Sequence, residues 1–88
     1  MRMYDLKQKE VINDCDCRRL GFVSDLLMDF EEGRITHIIV PGPGKFCGVL
    51  GRDMEYVIPF GCIRRFGEDI LLVQVNAEEV LVKCRPVP

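Results

Sequence analysis

Apolar and polar positions alternate along much of this chain with a period of two, the repeat of a strand with one buried face. Lys9-Glu10-Val11-Ile12-Asn13 reads as a short strand, ended by the turn-forming run Asn13-Asp14-Cys15-Asp16. From Leu20 to Phe30 the even positions are Leu20, Phe22, Ser24, Leu26, Met28 and Phe30, apolar everywhere but Ser24, while Gly21, Asp25 and Asp29 fall on the odd side. That predicts a single strand. Glu31-Glu32-Gly33 supplies a tight connection, and Arg34 to Val40 returns with Ile35, Thr36, Ile38, Ile39 and Val40, the β-branched types that suit a pleated surface.

Between Pro41 and Asp53 the chain carries Pro43 and the glycines Gly42, Gly44, Gly48 and Gly51, too many breakers for a helix or an inner strand. A long loop is expected there. Tyr56-Val57-Ile58-Pro59-Phe60 resumes strand character, with Pro59 near its end, where a missing ladder donor is tolerated. Cys62 to Phe66, the turn Gly67-Glu68-Asp69 and Ile70 to Val75 form a second hairpin, in which Ile70-Leu71-Leu72-Val73 is apolar on both faces, as in a central strand. Residues 1–76 make the domain, and 77–88 an extension with an edge strand and a tail. No amphipathic helical segment of useful length is predicted.

About six short antiparallel strands joined by Gly and Asp turns would leave open sheet edges, so an all-β fold curled into a small barrel is expected. Convergent period-two faces assign Phe22, Leu26, Met28, Ile35, Ile58, Ile63 and Leu72 to one core. Gly33 and Gly67 are expected at positive φ in the two hairpin turns.

Composition narrows the setting. The chain has 88 residues, with 48% hydrophobic and 30% charged, the composition of one globular domain. Lys+Arg number 12 against 14 Asp+Glu, a formal charge of −2, which does not favour an extended phosphate-binding face. No apolar run approaches the ~18–20 residues of a membrane span, and Ile38-Ile39-Val40 stops at Pro41. The N-terminal residues reach Lys7, Lys9 and Glu10 without an apolar signal core, and 5 cysteines make an odd number. A cytoplasmic protein with reduced thiols is expected.

Val11-Ile12, the acidic turn after it, and Leu20-Gly21-Phe22-Val23-Ser24-Asp25 resemble the opening of the PRC-barrel family, a strand and turn followed by Leu-Gly-x-Val-x-Asp. Tyr56-Val57-Ile58-Pro59-Phe60, Ile63 and Phe66-Gly67-Glu68-Asp69-Ile70-Leu71-Leu72-Val73 are similar to its closing pattern. The loop Pro41-Gly42-Pro43-Gly44-Lys45-Phe46 through Leu50-Gly51-Arg52 is similar to that of the short stand-alone members of endospore-forming bacteria, the YlmC/YmxH sporulation group. The chain departs from the family pattern at Asp16-Cys17, where Asp-Gly is usual, and at Phe60, where Trp is common. The resemblance implies a small barrel that binds a protein partner in a sporulating cell.

Candidate chemistry adds little to that picture. Cys15-x-Cys17 lacks the four ligands and the usual Cys-x2-Cys spacing of a zinc site, and reads as a turn with reduced thiols. Cys47, Cys62 and Cys84 read as small apolar packing residues. His37, the only histidine, has no nucleophile signature beside it, and Gly42-Pro43-Gly44-Lys45 lacks the Ser/Thr and helix of a phosphate loop. Asp25, Asp29, Glu31 and Glu32 lack EF-hand spacing. No catalytic residue, metal ligand or cofactor is therefore predicted, and the chain is expected not to be an enzyme. The loop residues Lys45, Phe46, Val49, Leu50 and Arg52 are the candidate protein-binding surface, because regular strand alternation cannot bury apolar groups among glycines. A protein partner or a second copy is expected on it. The alternative is an RNA or ribosome-assembly module, by analogy with ribosome-maturation PRC-barrels, using Lys45, Arg52 and the pairs Arg18-Arg19 and Arg64-Arg65.

Overall fold

A computed structural model describes residues 1–42 and 54–83. The fold is all-β. A short helix α1 (Met3–Lys7) precedes β1 (Glu10–Asn13), β2 (Arg18–Phe22), β3 (Asp25–Asp29), β4 (Arg34–Pro41) and β5 (Met54–Pro59). A 3-10 turn (Phe60–Cys62) leads to β6 (Ile63–Phe66) and β7 (Ile70–Val73), then α2 (Ala77–Val80) and β8 (Leu81–Lys83). Among the described residues the strands form two four-stranded sheets, ordered β2-β1-β7-β6 and β3-β4-β5-β8, rather than one closed ring. The predicted hairpins are present, as β3–β4 and β6–β7. One pairing departs from the antiparallel scheme, since β1 runs parallel to β7 with Val11 opposite Leu71. The central place of β7 follows from its apolar residues on both faces.

The stretch from Leu20 to Phe30 is not one strand. β2 closes the first sheet, the chain turns a corner through Val23 and Ser24, and β3 opens the second. Gly21 makes the corner possible, because its backbone sits at φ +126 and a Cβ there would lie 3.3 Å from the Val40 methyl carbon. The Ser24 N–H donates to the Ile39 carbonyl at 2.8 Å, and the Asp25 carboxylate accepts from the Leu26 N–H at 2.8 Å. The Leu-Gly-x-Val-x-Asp pattern thus has a structural meaning: Leu20 and Val23, three positions apart, are both buried across the bend.

That bend changes the core. The buried cluster is built on Val11, Leu20, Val23, Ile38, Val40, Tyr56, Ile58, Leu71, Val73 and Val75, with Leu6 and Ala77 from the two helices. Of the residues expected there, Ile58 is fully buried, while Leu26 and Ile63 only pack against the cluster. Phe22 and Met28 are exposed at 50% and 47%: Phe22 follows the extra residue Leu20 and the corner at Gly21, and Met28 lies beside the hairpin turn, where β4 carries the extra residue Thr36. Ile35 and Leu72 are half-buried, and Leu71 holds the core position on β7.

The two hairpin glycines differ. Gly33 has φ +66, as predicted. Gly67 does not have a positive φ; it is needed because a Cβ would approach within 3.1 Å of an Ile70 side-chain carbon. Its turn is held from outside by the buried Lys9, whose ammonium donates to the Gly67 carbonyl and, at 2.8 Å, to that of Glu68. Buried Asn13 performs a similar task at the other end of β1, where its Nδ2 donates to the Val75 carbonyl at 2.9 Å and its Oδ1 accepts from the Val75 N–H at 3.2 Å.

The turn between β1 and β2 contains the strained backbone that glycine would relieve. Cys17 sits at φ 57, the left-handed region, at the place where the related pattern has glycine. Cys17→Gly is therefore expected to stabilise the domain by about 0.5–1 kcal/mol in urea denaturation, the strain outweighing glycine's extra unfolded freedom. Unchanged or lower stability would show that the turn carries no such strain.

Candidate functional site

The site is an apolar groove on the flank of the domain, with a cavity volume of about 470 Å³. Its wall is assembled from five elements: Met3 and Leu6 on α1, Leu26 on β3, Ile35 on β4, and the aromatic rings of Phe60 on the 3-10 turn and Phe66 on β6. Each is placed by local chemistry. In α1 the Asp5 carboxylate accepts from the Arg2 backbone N–H at 2.9 Å, tying the first turn, and the i, i+3 spacing sets Met3 beside the buried Leu6. Pro59 ends β5, and the 3-10 turn that follows presents Phe60. Phe66 closes β6, and its ring meets that of Phe60 with centroids 6.1 Å apart in a tilted arrangement.

The groove carries almost no polar groups. Among the described residues Arg2 is the one charged side chain along it, and it forms no ion pair there. An apolar channel with a basic residue beside it can exclude water from an apolar side chain and favour an acidic neighbour.

The other sequence candidates do not join it. Lys45, Phe46, Val49, Leu50 and Arg52 lie outside the described residues, as do Cys47 and Cys84. Cys15 and Cys17 are exposed free thiols on the β1–β2 turn, and Cys62 packs against the core. Among the described residues no group of three or more His, Cys, Asp and Glu could hold a metal ion. His37 lies on β4 with its Nδ1 3.0 Å from the Thr36 hydroxyl. Arg18-Arg19 and Arg64-Arg65 stand on β2 and β6, the two opposite edges of one sheet and thus about 14 Å apart, so they do not make a single patch. Arg18 and Arg19 also face acids, Asp16 at 3.7 Å and Glu10 at 4.0 Å. The acidic group on the β3–β4 hairpin is partly structural, because the Asp29 carboxylate accepts from the N–H groups of Glu31 and Glu32 at 3.0 and 3.4 Å.

Alternation along strands could not reveal the groove. Its members come from a helix of one turn, a 3-10 turn and strand ends, and the one sequence signal is the Met3/Leu6 spacing ahead of the first strand.

Comparison with known sequences gives a consistent result. The family model of the PRC-barrel domain matches residues 1–80. A protein of Bacillus subtilis (strain 168) with the name probable sporulation protein YlmC is 35% identical over 72 residues, covering 82% of this chain and 89% of its own. Uncharacterized protein YmxH of the same strain is 28% identical over 80 residues, covering 89% and 93%. An uncharacterized protein of Clostridium acetobutylicum is 34% identical over 77 residues, covering 88% and 85%. No helix among the described residues is long and apolar enough to cross a membrane.

Proposed function

This chain belongs to the PRC-barrel family, and from that premise we propose that it is a non-enzymatic protein-binding module that works in the cytoplasm during sporulation. The single observation that carries the reading is the groove walled by Met3, Leu6, Leu26, Ile35, Phe60 and Phe66, open to solvent in a domain that has little apolar surface to spare. Similarity to the probable sporulation protein supplies the cellular setting. The rival reading, RNA or ribosome-assembly binding, has less support, because the two arginine pairs occupy opposite sheet edges.

Affinity capture from sporulating cells with wild type and with Met3→Arg tests the reading. The charge stands in the groove wall at a residue 36% exposed, so the fold is expected to survive by circular dichroism while at least one captured protein is lost. Identical capture by the two proteins would sink the groove as the binding surface. An electrophoretic titration with ribosomal RNA at several salt concentrations is expected to show no steeply salt-dependent complex.

A further inference from the structure

Opposite the groove in character, though on the hairpin that supplies part of its wall, stands the most exposed aromatic among the described residues. Phe30 is 89% exposed at the tip of the β3–β4 hairpin, flanked by Glu31 and Glu32. Among the described residues none covers it. The tip is nevertheless rigidly built: Asp29 accepts the N–H groups of Glu31 and Glu32, and Gly33 at φ +66 completes the turn. A side chain already held in place loses little freedom on docking.

We propose that the groove receives Phe30 of a second copy of this chain, each molecule lending its tip to the other. This rests on the groove being a docking surface. Three observations choose the occupant. The groove is apolar and roomy enough for a phenyl ring, and Phe30 is the most exposed large apolar side chain among the described residues. Charge matches, since Arg2 along the groove would meet Glu31 beside Phe30, while Glu32 already faces Arg34 of its own tip at 3.4 Å. The connectivity allows the exchange: Leu26 lines the groove near the base of the hairpin that carries Phe30, about 13 Å away along the strand, and Ile35 lines it closer to the tip, opposite Met28. Phe30 does not fill the groove of its own chain, but a two-fold axis lets each tip enter the other's groove and leaves no free end to polymerise.

The chain contains 0 Trp, so Phe30→Trp introduces one reporter at the contact. Light scattering up to about 0.5 mM protein is expected to show a dimer for wild type and for Phe30→Trp, and a monomer for Phe30→Ser and for Met3→Arg. The Phe30→Trp emission is expected to move to shorter wavelength as the dimer forms, and to stay at that of water-exposed indole when Met3→Arg is added to the same chain. A monomeric wild type, a dimer that survives Phe30→Ser, or an indole that remains wet in the dimer each overturns the proposal. If wild type is monomeric while Met3→Arg still loses a captured protein, the second copy is rejected and the protein-binding reading stands.

Discussion

Leu71→Ala is expected to cost the domain about 2–5 kcal/mol, and Leu72→Ala roughly 1–2 kcal/mol, when the two are compared by urea denaturation. Leu71 is fully buried on β7, the strand between β1 and β6, where it lies opposite Val11 on one side and Phe66 on the other. Truncation leaves a cavity that three strands cannot easily fill. Leu72 is only half-buried, so its removal loses contact without opening a void. A domain of this length has a total stability of roughly 5–13 kcal/mol, so the Leu71 variant should be measurable and much weakened. Equal losses at the two positions would show that the core face of β7 is assigned wrongly.

Why these neighbours were hard to separate from sequence is plain in the strand itself. Ile70-Leu71-Leu72-Val73 is apolar throughout, which correctly marks a central strand but says nothing about which side is inside. The hairpin 62–75 and the strand ending at Pro59 were legible, because turn residues bound them and the tertiary contacts agree with the local preference. The region 20–30 was not. Its alternation is regular, yet the positive φ of Gly21 and the extra residue Leu20 in the pairing of β2 with β1 break the face at the corner, and period-two counting has no sign of either. The groove was invisible for a related reason: it is formed where elements end, and its residues become neighbours only after two sheets have packed.

Asn13→Leu is expected to destabilise by about 2–4 kcal/mol although it keeps the branching and heavy-atom count and adds apolar groups. The Asn13 side chain is wholly buried and serves the Val75 carbonyl and N–H together, as an adjacent strand would. Leucine would leave both backbone groups away from water and unpaired. Asn13→Asp should also destabilise, because a carboxylate oxygen would replace the donor that faces the Val75 carbonyl. Denaturation curves with unchanged slope and a lowered midpoint are the expected result. Wild-type stability in Asn13→Leu would mean that Val75 finds other partners.

The parallel pairing of β1 with β7 places Glu10 against Ile70 and Asn13 against Val73, so the first sheet is completed across almost the whole described chain. Such a contact must close a long loop before it gains anything, which puts the domain among slow-folding topologies, in the range of milliseconds to seconds. On the ribosome, β1 has β2 beside it but waits without its second neighbour until β7 has left the exit tunnel. Until then only the local hairpins can form, and the buried faces of Val11 and Leu20 stay open to whatever binds nascent chains.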